Sequence, residues 1–192
     1  MSIERTIIHF CAPSLCGIKA ASLVSVGKDT YRQCLDRIRN LDGVLRGTGK
    51  RIVPVTRTEN RTLLFVYDEA LLHRRLCDPQ IARYLGDKGY PVAAGAAAVL
   101  PAFLKRLSGA QRFPHETGVF LGYPLEDVVG FEAHGGCGCK YCGYWKVYGD
   151  VESARLLCSQ YERCRTLCKQ WFEEGHSIPR LIEKYTERQG AA

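Results

Sequence analysis

The sequence has 192 residues, 46% of them hydrophobic, ten cysteines and a formal net charge of +7 at pH 7. Its apolar windows are too short for a signal peptide or for the roughly 20 residues of a membrane span, so we expect a cytoplasmic protein with no membrane partner. The cysteines are then expected to be thiols or metal ligands rather than a disulfide framework. The basic residues are dispersed among acids, which is typical of a solvated surface and argues against a nucleic-acid partner.

The first half of the chain predicts a strand, a helix and a hairpin. Residues 7–11 form a short apolar run before Pro13, which indicates a strand leading into a loop. Apolar residues then recur at helical spacing over 29–43, with a glycine at the end. The segments 51–56 and 62–67 flank a polar turn and predict a β-hairpin, whose second strand is apolar enough to be central.

The second half is dominated by helix signals. Asp78 followed by proline predicts a capped helix, and residues 93–107 predict a helix that breaks or kinks at Pro101. Residues 145–148 read as a last strand. Asp150 can cap a long helix whose Cys158, Cys164 and Cys168 are expected in the core, and a shorter helix follows from about residue 179 to 188.

These elements predict an α+β fold. We expect a small antiparallel or mixed sheet of about four strands packed with helices in a single layered domain. The sequence contains no internal repeat and no low-complexity linker, so residues 1–192 are expected to form one domain.

The densest group of metal-ligand residue types is Cys137, Cys139 and Cys142, three thiols beside glycines that allow the backbone to curl. Such spacing suits zinc or an iron-sulfur cluster if a fourth ligand is supplied, and His134 is the nearest in sequence. The alternative is an exposed thiol-rich loop without a metal.

Cys11 lies where the predicted first strand runs into a loop, a position at which reactive groups are often displayed. Lys19 could lower the pKa of a nearby thiol or hold an anionic ligand, so we name Cys11 and Lys19 as catalytic candidates. The alternative is that Cys11 and Cys16 are small buried hydrophobic residues.

His115 and Glu116 are the other catalytic candidates, because a histidine beside a carboxylate can act as a base. The alternative is a histidine that holds a loop in place. If this loop and the Cys11 loop converge, the four residues could line one pocket, with Tyr123 and Trp145 as apolar or stacking walls for a cofactor.

The segments HFCAPSLCGIKAASL, FPHETGVFLGYPLEDVVGF and CGYWKVYGD resemble an uncharacterised bacterial domain family of unknown function that is common in clostridia and related anaerobes. The resemblance covers nearly the whole chain and implies a cytoplasmic, single-domain bacterial protein, but no established activity, cofactor or catalytic residue. Its family-like segments contain Lys146, which we add to the cofactor-binding candidates. Cys137 and Cys139 resemble additions in a variable loop, which puts a family-wide metal role for them in doubt.

The sequence leaves the enzyme question open. Standard nucleotide loops, nucleophile elbows and zinc-protease helices are absent from it. We expect metal or cofactor binding through Cys and His residues, with a thiol-dependent enzyme using Cys11 and His115 as one alternative and a non-catalytic interaction protein as another.

Overall fold

The computed structural model describes residues 2–56, 58–109 and 113–190. In these ranges the helices are α1 Ile3–Leu15, α2 Lys28–Gln33, α3 Leu35–Arg46, α4 Glu69–Leu76, α5 Pro79–Asp87, α6 Ala96–Gly109, α7 Thr117–Phe120, α8 Leu125–His134, α9 Val151–Glu173 and α10 Ile178–Gly190. The strands are β1 Ala21–Gly27, β2 Lys50–Thr56, β3 Arg61–Asp68, β4 Tyr141–Cys142 and β5 Lys146–Val147. The chain divides into a first unit, residues 1–69 with 161–192, and a second unit, residues 70–160.

The first unit is built on an antiparallel sheet in the order β1-β3-β2. The predicted hairpin is confirmed, because β2 and β3 pair with Ile52 opposite Val66. β3 is also the central strand that its apolar sequence predicts, and every residue from Thr62 to Asp68 is buried. A strand paired on both edges and buried along its length is a stable platform for the helices that pack on it.

The prediction of a strand at residues 7–11 is wrong, because this segment belongs to α1. Ser2 caps the helix by accepting a hydrogen bond from the backbone N–H of Arg5 at 3.2 Å. Pro13 lies in the last turn, where it removes only one backbone hydrogen bond. The buried positions recur at helical spacing: Ile3, Ile7, Ile8, Cys11, Ala12 and Leu15. Burial of that face outweighs the lost bond, and the first strand begins later, at Ala21.

The helix predicted over residues 29–43 is two helices, α2 and α3, separated at Cys34. Gly43 does not end the segment, since α3 continues to Arg46. The core of the first unit includes residues from both of its chain segments, with Val24, Leu64 and Val66 from the sheet. From α9 and α10 it includes Cys164, Cys168, Trp171, Ile178, Leu181, Ile182 and Tyr185.

The second unit contains most of α4, all of α5 to α8, the β4 and β5 pair, and the first part of α9. Asp78 caps α5 as predicted, accepting hydrogen bonds from the N–H groups of Gln80 and Ile81. Of the break or kink predicted at Pro101, the break is wrong, because α6 runs through this residue, and the chain turns before it at Gly95. The buried Phe103 stacks on Phe120 at 3.8 Å between ring centroids, and this packing keeps α6 helical despite the proline.

The α+β class is confirmed, whereas the sheet differs from the prediction. In place of about four strands in one sheet, the described residues form the three-stranded antiparallel sheet and a separate pair, β4 with β5. The last strand is only Lys146–Val147. Asp150 caps α9 through the N–H groups of Glu152 and Ser153, as the sequence predicts. Among the described helices, none has both the length and the apolar character needed to cross a membrane.

Candidate metal centre and ligand cavity

Cys16 is placed at the C-terminal end of α1 by a tight turn. Its backbone N–H donates to the carbonyl of Ala12 at 2.9 Å, and Gly17 then turns the chain with a φ of 71°. Only glycine adopts that left-handed conformation without strain. The Cys16 side chain is half-buried and is held at the end of the helix rather than in a mobile loop.

Cys164 and Cys168 lie one turn apart on α9, on the face that is buried in the first unit. Residues four positions apart on a helix present their side chains on the same face. The Sγ atoms of Cys16, Cys164 and Cys168 all lie within 4.8 Å of one another, and those of Cys16 and Cys168 are 3.5 Å apart. We call this group the thiol cluster.

Hydrogen bonds within the thiol cluster distribute its protons unequally. Contacts from Cys16 and then Cys164 lower the pKa of Cys168 and outweigh the opposing effect of burial. Hydrogen bonding to Cys164 and Cys168 raises the pKa of Cys16. The Cys16 contact lowers the pKa of Cys164, but hydrogen bonding to Cys168 and burial outweigh it, so this pKa is also raised. One thiolate, at Cys168, is therefore favoured and is stabilised by two neighbouring thiols.

Apolar side chains and the hydroxyl of Tyr185 lie next to the thiol cluster. Tyr185 is buried and hydrogen-bonds to Cys164, and burial is the main cause that raises the pKa of Tyr185 to about 12. A phenol that stays protonated is a permanent donor to the sulfur. A small gap beside Cys16 and Cys168 is lined by Ile8, Ala12, Leu15, Ile178, Leu181 and Ile182. Three convergent sulfurs in such a setting can hold a thiophilic metal ion or exchange protons with one another.

The predicted metal ligands Cys137, Cys139 and Cys142 lie in the loop after α8 and in β4. Cys137 and Cys142 are exposed and Cys139 is half-buried. In the described residues the thiol cluster is the one group of three such ligands within 4.8 Å, and the Cys137 loop does not form another. His134, the nearest histidine in sequence, stacks on Tyr148 at 5.6 Å.

The catalytic candidates Cys11 and Lys19 are both buried in the first unit. Burial raises the pKa of Cys11 to about 12, so the thiol is protonated at neutral pH. Lys19 donates its ammonium group to the carbonyl of Ala21, and burial lowers its pKa to about 8. The position of Cys11 on the inner face of α1 fits the alternative of a small buried hydrophobic residue.

The candidates His115 and Glu116 belong to the second unit, and their side chains have different surroundings. Glu116 is buried and accepts hydrogen bonds of 3.0 Å from Tyr90 and from Arg106. Burial raises the pKa of Glu116, but hydrogen bonds from its own backbone, Arg106 and Tyr90 outweigh this effect, and the pKa is lowered. His115 is exposed and its ring lies 5.3 Å from that of Phe131.

A cavity of about 300 Å³ in the second unit brings together His115 and the three predicted cofactor-binding residues. Tyr123 and Trp145 stack on each other at 5.0 Å, and Lys146 lies beside them in the wall. We call this space the aromatic cavity. The remaining lining residues are Phe113, Pro114, Thr117, Gly118, Leu121, Asp127, Val128 and Phe131. Tyr123, Trp145 and Lys146 therefore line the same cavity, and their role as cofactor-binding residues stays a prediction.

The sequence reasoning missed the thiol cluster. The sequence predicts that Cys164 and Cys168 lie one helical turn apart and are buried, but this spacing and burial are equally typical of ordinary core residues. Cys16 is 152 positions before Cys168, and nothing local connects them. The helical stripe of α1, which ends beside Cys16, is the signal that could have placed this third thiol correctly.

Comparison with known proteins gives a family but no characterised relative. Neither the curated proteins nor the solved structures contain a match to the chain. A family model described as "Protein of unknown function (DUF3793)" matches residues 7–182, a span that includes the thiol cluster and the aromatic cavity. The chain therefore belongs to the DUF3793 family.

Proposed function

We propose that the protein binds one thiophilic metal ion through Cys16, Cys164 and Cys168. The observation that carries this proposal is the convergence of three sulfurs within 4.8 Å from two distant parts of the chain. Zinc bound at about 2.3 Å from each sulfur places tetrahedral ligands about 3.8 Å apart. The 3.5 Å between Cys16 and Cys168 is close to that spacing, so small side-chain adjustments suffice to admit the ion.

Zinc with an open fourth position is the occupant that this donor set favours. In the described ranges, no His, Cys, Asp or Glu joins the three cysteines as a fourth close ligand. Iron-sulfur clusters are usually held by four cysteines, whereas zinc accepts three protein ligands with water or another molecule in the fourth position. A divalent ion also neutralises the charge of two of the three thiolates, and this lowers the cost of burying them in apolar surroundings. The Tyr185 hydroxyl would stabilise the remaining negative charge by donating a hydrogen bond to Cys164.

The proposed binding is coupled to proton release. Two of the three thiols have raised pKa values, so a metal ion must displace protons from Cys16 and Cys164 when it binds. Metal affinity should therefore increase with pH across the neutral range. Cys168, whose pKa is lowered, supplies the first ligand.

The other functional hypotheses have weaker support. A thiol-dependent enzyme using Cys11 and His115 needs an accessible thiolate, and Cys11 is buried with a raised pKa. A metal site at Cys137, Cys139 and Cys142 would need those sulfurs to rearrange into a compact group. A non-catalytic interaction protein remains the reading if no metal binds and no thiol reacts.

The test is metal content and cobalt titration of protein purified without a metal-binding tag. We expect one zinc per chain by elemental analysis, and a thiolate-to-cobalt charge-transfer band when Co²⁺ replaces zinc. Cys168→Ser and Cys16→Ser should weaken binding by more than about 100-fold, beyond the effect of altering a group that only supports a ligand. Cys158→Ser is the matched control, because Cys158 is also buried on α9 but lies outside the thiol cluster.

The outcome also discriminates between the two cysteine groups. Stoichiometric zinc that survives Cys168→Ser but is lost in Cys139→Ser would move the site to the Cys137 loop. Metal-free protein that shows no cobalt charge-transfer band would refute the proposal outright. Circular dichroism of each variant checks that a lost metal does not simply reflect a lost fold.

A further inference from the structure

The aromatic cavity has the size and walls of a small-molecule site. Its volume of about 300 Å³ is at the lower end of the range for ligand pockets, roughly 300 to 1,000 Å³. The stacked rings of Tyr123 and Trp145 form one wall, and Phe131 and Leu121 add further apolar surface. Flat aromatic walls favour a flat aromatic ligand, because ring stacking adds to the gain from burial.

A buried hydroxyl in the wall lacks a partner. Thr117 lines the cavity and is 1% exposed, and its Oγ1 has no hydrogen-bond partner among the described residues. An unsatisfied buried hydroxyl is unfavourable, because it has lost its hydrogen bonds to water and gained none in the protein. A ligand atom that accepts or donates a hydrogen bond at this point would recover that cost. The hydroxyl is therefore independent support for a ligand with a polar substituent.

The charged groups of the wall favour an anion. The Asp127 carboxylate is already occupied, since it accepts hydrogen bonds from Trp145 Nε1 at 2.6 Å and from the N–H groups of Tyr148 and Gly149. Lys146 and His115 are exposed members of the wall. The Lys146 ammonium donates to the carbonyl of Gly136 in an exposed contact, which it can exchange for an anionic ligand. The described wall residues include one lysine and no arginine, a set that suits a carboxylate better than a phosphate.

We propose that the aromatic cavity binds a flat aromatic carboxylate that carries a second polar substituent on its ring. The ring packs against Tyr123 and Trp145, the buried substituent hydrogen-bonds to Thr117, and the carboxylate interacts with Lys146 near solvent. This site is separate from the proposed metal centre in residues and in chemistry, and each can fail without the other. The chemical class of the ligand follows from the wall alone.

The test uses three naphthalene probes measured by isothermal titration calorimetry on the full-length protein. The probe 6-hydroxy-2-naphthoate carries both polar groups, 2-naphthoate lacks the hydroxyl, and 6-hydroxy-2-naphthamide lacks the charge. We expect 6-hydroxy-2-naphthoate to bind most tightly. Thr117→Val should weaken it by about fivefold while leaving 2-naphthoate unchanged, as expected for one neutral hydrogen bond.

Charge recognition is tested with Lys146→Met and a matched control. Lys146→Met should weaken both naphthoates by roughly fivefold at low salt and leave the amide unchanged. Lys140→Met is the control, because Lys140 is exposed nearby in sequence but is not part of the wall. Failure of all three probes to bind, or binding that is indifferent to both Thr117→Val and Lys146→Met, would overturn the proposal. Equal probe affinities with and without a chelator would show that binding in the aromatic cavity does not depend on the proposed metal centre.

Discussion

Asp42 shows how a single buried carboxylate joins a helix to a strand. It is 9% exposed on α3, and it accepts a hydrogen bond of 2.8 Å from the backbone N–H of Ile52 in β2. The guanidinium groups of Arg51 and Arg46 also donate to it. Burial raises the pKa of Asp42, but the Ile52, Arg51 and Arg46 hydrogen bonds outweigh it and the pKa is lowered.

Asp42→Asn should therefore destabilise the first unit in a pH-dependent way. We expect a loss of about 1 to 3 kcal/mol in the free energy of unfolding at neutral pH, because charge-assisted bonds are lost. A lowered folded-state pKa contributes stability above the unfolded value of about 3.9, and this contribution disappears as the pH falls through the folded-state value. The difference between the two proteins should thus narrow below about pH 4. Urea denaturation at several pH values measures it.

Asp36→Asn is the matched control for this prediction. Asp36 is on the same helix, but its side chain is 91% exposed and its contact with Arg39 is 3.7 Å long. An exposed pair of this kind contributes about 0 to 1 kcal/mol. Equal effects of the two substitutions, or a gap that widens in acid, would contradict the role given to Asp42.

Glycines inside two helices show how the same residue type can be replaceable or required. Gly43 lies in α3, is exposed, and a Cβ added to it would meet nothing within 4 Å. Gly130 lies in α8, and a Cβ there would come within 2.5 Å of Tyr148 Cγ. The first glycine only weakens its helix, whereas the second allows the helix to approach an aromatic ring.

Replacement of each glycine by alanine should have opposite effects. Gly43→Ala should raise the free energy of unfolding by roughly 0.5 to 1 kcal/mol, because alanine has the higher helix propensity. Gly130→Ala should lower it by about 1 to 3 kcal/mol, since the gain in propensity does not offset the displacement of Tyr148. Chemical denaturation of both variants provides the comparison. A stabilising Gly130→Ala would mean that Tyr148 moves aside at little cost.

The elements predicted correctly are those whose signals are local. Asp78 and Asp150 cap their helices through neighbouring N–H groups, and the hairpin of β2 and β3 follows from two apolar runs around a polar turn. The errors arise where packing outweighs a local signal. Pro13 and Pro101 suggest breaks, but both lie within helices whose buried faces stabilise them.

The candidate sites were predictable in part for the same reason. Tyr123, Trp145 and Lys146 lie in segments singled out from the sequence and line one cavity, although their binding role stays a prediction. The thiol cluster depends on a pairing across 152 residues that no local pattern encodes. Thr117 could not be singled out from the sequence for a different reason, because its significance comes from a buried hydroxyl with no hydrogen-bond partner among the described residues.

At the scale of the whole molecule, the first unit is formed from two chain segments separated by the second unit. Its core takes the sheet and α1 from the first segment, and it takes part of α9 and all of α10 from the second. The second unit is instead a continuous stretch of chain. The two units should therefore differ in their response to truncation.

Shortening the chain to residues 1–160 should unfold the first unit and leave the second protected. The truncation removes Cys164, Cys168, Trp171, Ile178, Leu181, Ile182 and Tyr185 from the first unit's core. The free energy lost when that much apolar surface becomes exposed exceeds the usual free energy of unfolding of a domain. Hydrogen exchange with mass spectrometry should show fast exchange in β1, β2 and β3 and continued protection in α5 and α6. A chain ending at Arg188 is the control, and slow exchange of the sheet in the 1–160 chain would contradict the prediction.

The divided first unit also sets an order of events during synthesis. Cys16 leaves the ribosome 152 residues before Cys168, so its thiol is exposed to oxidants and free metal ions throughout the intervening translation. The apolar face of α1 stays uncovered until α9 and α10 have been synthesised. A chaperone can bind it during this interval. Completion of the thiol cluster thus waits for the synthesis of α9, and a nascent polypeptide stalled before α9 would carry Cys16 without its two partner thiols.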